Sequence, residues 1–273
     1  MSNLNRILAL LGALSLALTA RAADTVEIFA AGSLRGVVGE LAKEAGPALS
    51  VEIKPSFGGS GMMRERIEKG ETPDLFLSAD VGSPRKLEAA GRTVVPAIAF
   101  ARNRMCIMSR SSAGVTATNL IDRLLAKDVR VKTSTPIADP AGDYAWAIFD
   151  RIDTLRPGSG APLKSKAQGL MSNTASAPEL FRNNQVDMSI TYCSAAATLE
   201  KDVPGLTSLV VPPQLDPHPL YGAAVLSNRT PVMRLVLFLL SDKGQAIIAR
   251  EGLVPLTEGA APSAAAAAPT PPQ

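Results

Sequence analysis

Two glycine–serine turns, each set where a strand hands over to a helix, constrain this chain more than any other feature. The first, Ala30-Ala31-Gly32-Ser33-Leu34, follows the apolar run Val26-Glu27-Ile28-Phe29. The second, Phe57-Gly58-Gly59-Ser60-Gly61, follows Leu49-Ser50-Val51-Glu52-Ile53 and precedes a helical stretch from Met62 to Lys69. A serine hydroxyl beside the free N–H groups of a helix start is a ready place for an anion. Two such turns so close in sequence point to two donors converging on one small oxyanion.

Around these turns, strand and helix signals alternate. Ser33 to Glu44 reads as a helix with Leu34, Val37, Val38 and Leu41 on one face, broken by Gly46-Pro47. Strands follow at Val51–Ile53, Leu75–Ser78 and Val94–Phe100, with a helix over Pro84–Ala90. The second half repeats the grammar. It has strands at Arg104–Ser109, Val129–Val131, Met188–Thr191, Leu206–Val211 and Tyr221–Leu226, and helices at Thr118–Leu125, Ala141–Asp150 and Ala177–Asn183. Pro231–Leu240 and Lys243–Arg250 close the pattern as helices. The expected fold is α/β with two lobes, each a mostly parallel sheet flanked by helices. The expected boundaries are 23–102 with 222–258 for the first lobe and 103–221 for the second. Ligands of open α/β sheets bind beyond the carboxyl ends of the strands, so the cleft between the lobes is the expected site.

The ends of the chain read differently. Arg6, the uncharged apolar run Ile7–Leu18 and Ala20-Arg21-Ala22 form a cleavable export leader over 1–22. The apolar run is too short to span a bilayer, which needs roughly 20 residues. A periplasmic location follows, with no membrane span after cleavage. Residues 259–273 are Ala/Pro-rich, carry no large apolar side chain and are expected to be disordered.

Composition removes several function classes. The full chain carries a net charge of +3, and two of those charges, Arg6 and Arg21, leave with the leader. No basic field remains for nucleic acid or anionic lipid. Aromatic residues make up 4% of the chain, too few for base-stacking platforms. His218 is the single histidine, so Ser–His–Asp catalysis has one candidate base, and Gly59-Ser60-Gly61 lacks the spacing of a nucleophile elbow. An enzyme is therefore not expected. Cys106 and Cys193 each sit in an apolar run and read as buried free thiols, although an oxidising compartment permits a disulfide.

Several pieces together resemble the periplasmic molybdate-binding proteins of ABC transporters, within the type II periplasmic binding proteins. They are Ala30–Leu34, Ser56–Gly61, Pro73-Asp74-Leu75-Phe76-Leu77-Ser78-Ala79-Asp80, Pro140–Ala145, the strand ending at Tyr192, and Phe238–Ala246. The resemblance implies a monomeric receptor that binds molybdate or tungstate without a cofactor and hands it to a membrane permease. It implies hydroxyl and N–H donors from Ser33 and Ser60, a backbone N–H from Ala141 and another near Thr174, and the phenol of Tyr192. Neutral donors select fully deprotonated oxyanions, because a ligand that keeps a proton needs an acceptor. Asp139 and Asp143 flank Ala141 and would repel a dianion. Either they cap and face away, or Asp139 coordinates a metal centre directly. Sulfate or a small organic anion is the alternative ligand. Ser33→Ala and Ser60→Ala are each expected to weaken binding and leave the fold intact.

Overall fold

The computed structural model describes residues 23–171 and 175–257. The expected leader, the 259–273 tail and Thr174 lie outside the described residues.

The first lobe begins with β1 (Asp24–Ala31), whose alternate residues Val26 and Ile28 are fully buried and whose end, Phe29 to Ala31, is buried on both faces. A short 3-10 turn, Gly32–Leu34, leads into α1 (Arg35–Leu49). Contrary to the sequence expectation, Gly46-Pro47 does not break this helix. Pro47 forfeits one intrahelical bond near the end, while Ser50 donates its N–H to Gly46 and Pro47 and turns left-handed at φ 54°. β2 (Val51–Gly58) pairs with β1 along its whole length, and so runs well past Ile53. Then come α2 (Ser60–Glu68), β3 (Leu75–Ser78), α3 (Gly82–Ala89) and β4 (Ile98–Arg102).

The chain crosses at Asn103 and Arg104 into the second lobe. This lobe contains β5 (Met105–Arg110), α4 (Leu120–Leu125), β6 (Val131–Lys132), α5 (Pro140–Leu155), α6 (Gly160–Met171), α7 (Ala177–Arg182), β7 (Met188–Tyr192), α8 (Ala196–Asp202) and β8 (Leu206–Val210). Helices α6 and α8 escape the periodicity reading. Gly160–Met171 offers only sparse apolar residues, of which Leu163 and Ala167 are buried, and α8 is two turns long. The chain then returns through β9 (Leu220–Val225), α9 (Thr230–Leu240), α10 (Asp242–Arg250) and β10 (Val254–Pro255). Leu220 and Tyr221 pair with Arg102 and Ala101, so the expected boundary after 221 falls inside β9, a first-lobe strand.

Both sheets are mixed, which corrects the expectation of mostly parallel sheets. The larger has the order β10-β4-β9-β3-β1-β2, and the smaller β6-β7-β5-β8. Parallel pairing is confined to β1 with β2 and β3, and to β6 with β7. The strands that follow the two crossings, β5 and β9, are antiparallel to their neighbours. One buried cluster runs through both lobes, and at the crossings it includes Phe100, Met105, Tyr192, Val211 and Tyr221.

Candidate functional site

The register of the larger sheet brings the two serine turns together. Ala31 pairs with Gly58 and Ala30 with Leu77, so β1, β2 and β3 end side by side at one edge. Ser33 lies two residues beyond β1, Ser60 two beyond β2, and Asp80 two beyond β3. Ser60 is fully buried, and its hydroxyl accepts the backbone N–H of Ala79 at 3.0 Å. The serine thus ties the second turn to the third strand end. Ser33 is half-buried, and its hydroxyl lies 2.9 Å from the phenol oxygen of Tyr221 on β9. Asp80 is a local brace, accepting from Ser78 Oγ at 3.0 Å and Ser83 Oγ at 2.9 Å.

The second lobe presents the start of α5. Asp139 is its N-cap and accepts the Ala141 N–H at 3.1 Å, and Pro140 occupies the first turn. Here the structure has Asp139 in the capping geometry. The N–H expected from Ala141 is at present bonded to that carboxylate. Asp143 accepts the N–H of Ile137 at 2.9 Å and so braces the loop before the helix. This loop meets the first lobe: Met62 of α2 donates its N–H to the Ala138 carbonyl at 3.3 Å. Ser60 and Ala141 are therefore linked across the cleft through Met62 and Ala138.

Tyr192 ends β7, opposite Met105 at the first crossing. It is 4% exposed, and its hydroxyl has no hydrogen-bond partner among the described residues. Its ring packs edge-on against Tyr221 at 5.7 Å and Tyr144 at 6.3 Å. Burial pushes the phenol of Tyr192 well above its ordinary range, helped by the nearby Tyr221, Asp139 and Asp80. It pushes Tyr144 up to about 12. These phenols stay protonated, and the Tyr144 oxygen accepts the Leu220 N–H at 3.3 Å. The Asp143 carboxyl is also raised, by desolvation first and then by Asp80 and Asp139. The next residue, Cys193, is joined to Cys106 in a disulfide. This corrects the reading of two free thiols: the antiparallel register sets Cys106 opposite Thr191, which places Cys193 within reach.

Two cavities flank this centre. One, of about 450 Å³, is lined from the first lobe by Ser33, Arg35 and Glu251, and from the second by Thr191, Ser194 and Thr198. The other, of about 440 Å³, is lined by Thr133, Asp139, Ser189 and Thr191. Sequence reading missed Thr133 and Ser194. Thr133 follows β6 directly, is almost fully buried, and its hydroxyl has no hydrogen-bond partner among the described residues. Its position just past a strand end was the available signal. Among the described residues no group of three or more His, Cys, Asp or Glu is placed to hold a metal ion. His218 is exposed in its loop, beside Asp216.

Two α/β sheets joined by two short crossings around a donor-lined cleft define a two-lobe binding protein of the periplasmic type. Comparison with known proteins makes this specific. The chain belongs to the bacterial extracellular solute-binding proteins, whose family model matches residues 26–254; this is a family of binding proteins and not of enzymes. PM1146 of Pasteurella multocida, itself uncharacterised, is 33% identical over 187 residues, covering 64% of this chain and 77% of its own. Among solved structures, the periplasmic molybdate-binding protein of Azotobacter vinelandii superposes with a TM-score of 0.65 at 18% identity, covering 84% of this chain and 98% of that one. PEB3 of Campylobacter jejuni bound to L-phospholactate gives 0.66 at 15% identity, covering 84% and 99%. At such identities the likeness is one of fold. No helix among the described residues is long and apolar enough to cross a membrane.

Proposed function

We propose that this protein captures molybdate or tungstate in the periplasm, between its two lobes, and delivers the anion to an ABC-type membrane permease. Ser33, Ser60, Ala141, Tyr192 and a backbone N–H near Thr174 are the proposed contacts. The observation that carries the reading is the Tyr192 hydroxyl, buried at the meeting of the lobes without a partner among the described residues. Leaving a buried donor unpaired costs about 1–3 kcal/mol, and an anionic acceptor removes that cost. A dianion held in a dry cleft needs several such donors, and hydrogen bonds to a charged acceptor contribute about 1.5–3 kcal/mol each. The fold shared with the Azotobacter molybdate-binding protein agrees with this reading.

A small organic anion is the second reading, favoured by the cavity of about 450 Å³ beside Ser33 and Arg35. That space exceeds the volume of a single tetrahedral oxyanion, and PEB3, of the same fold, binds phospholactate. Calorimetry and ligand-induced melting with molybdate, tungstate, sulfate, phosphate and phospholactate separate the two. The first reading expects the largest response to molybdate and tungstate. Silence to both would sink it, and a response confined to phospholactate would establish the second.

A further inference from the structure

A polar node at the first crossing reaches both lobes. Asn103 is buried, and its side-chain oxygen accepts the Arg104 N–H at 2.8 Å, which fixes which end of the amide faces which neighbour. The amide nitrogen donates to Ser194 Oγ at 2.9 Å and to the Tyr221 phenol oxygen at 3.1 Å. Both amide hydrogens are then used. Tyr221 is fully buried, so with its oxygen accepting from Asn103, its one hydrogen goes to Ser33 Oγ, 2.9 Å away. Burial also raises the Tyr221 phenol's pKa, so the hydrogen stays in place.

The consequence falls on the two serines. Ser33 accepts from Tyr221 and Ser194 accepts from Asn103, so neither can point its own proton at the node. Both line the same interlobe cavity, one from each lobe. Ser194 also packs on the first lobe: a Cβ on Gly252 would sit 3.3 Å from the Ser194 Cα. We propose that Asn103 and Tyr221 form a donor relay that aims the hydroxyls of Ser33 and Ser194 at one shared anion. Ser194 thereby becomes a ligand contact, and Tyr221 a positioning residue that sets the preference for acceptor-only oxyanions over protonated ones. This rests on the reading that a small oxyanion occupies the cleft.

Calorimetry on the full chain tests it, using molybdate and, in competition, inorganic phosphate at neutral pH, where phosphate retains a proton. Ser194→Ala is expected to weaken molybdate about tenfold or more, the loss of one hydrogen bond to a charged acceptor. Tyr221→Phe frees the Ser33 hydroxyl to turn, and is expected to lower the ratio of molybdate to phosphate affinity by about tenfold. General loosening would lower both affinities together and leave the ratio unchanged. Wild-type affinity in Ser194→Ala, or an unchanged ratio in Tyr221→Phe, would overturn the relay while the oxyanion reading stands. Wild-type protein that binds no oxyanion would overturn both.

Discussion

A buried hydroxyl without a partner places opposite demands on stability and on binding, and Tyr192 carries both. Tyr192→Phe removes the unpaired group and keeps the ring contacts with Tyr144 and Tyr221. Its ligand-free melting temperature is expected to hold or rise, while molybdate affinity falls about tenfold or more. A melting temperature that drops sharply would show that the hydroxyl has a structural partner. Ser60 behaves in the reverse way. Its hydroxyl accepts the buried Ala79 N–H, so Ser60→Ala orphans a backbone donor and should destabilise the ligand-free fold by about 1–3 kcal/mol in chemical unfolding. The substitution is thus expected to carry a stability cost beside its binding cost. The two serines were legible as a pair because their turns share one pattern. The partner of each oxygen was not, since Ala79 and Tyr221 reach the turns only through sheet pairing.

At the scale of elements, the disulfide closes a loop of 87 residues and pins the end of β7 to β5. Replacing Cys106 and Cys193 together by serine is expected to cost about 2–4 kcal/mol in denaturant unfolding. It should also weaken anion binding, because Tyr192 stands directly before Cys193 in the pinned segment. A double variant as stable as the parent would show that the bridge does not constrain the native chain. Apolar flanks suggested that both cysteines are buried, which holds for Cys106 while Cys193 is half-buried, and burial cannot distinguish a thiol from a bridge. The register of β5 on β7 makes that distinction, and it is a long-range property. The same limit explains the elements. Strands with dense apolar runs, such as β1, β3 and β7, were readable, whereas α6 and α8 depend on packing that their sparse apolar residues do not announce.

For the whole molecule, the contact between the lobes is the part most exposed to a single atom. A Cβ on Gly61 would lie 1.8 Å from the Ile137 carbonyl oxygen of the opposite lobe, and one on Gly59 2.4 Å from that of Ala138. Both obstacles are backbone of the loop before α5, so either that loop or the lobes must give. Gly61→Ala is expected to leave each sheet folded, enlarge the radius of gyration in solution scattering and abolish the compaction caused by ligand. Unchanged scattering with full affinity would show that this approach is not needed for binding. The two connections between the lobes, at Asn103–Arg104 and between β8 and β9, are the places where such a motion can be absorbed. The alternation of strand and helix, the anion-ready turns and the poverty in histidine and basic charge follow from local pattern, so the sequence by itself determined an α/β binding protein. Sheet polarity, the Cys106–Cys193 bridge and the meeting of Ser33, Tyr221, Asn103 and Ser194 were decided by tertiary structure alone. Each joins residues far apart in the chain, and no local periodicity encodes which of them will meet.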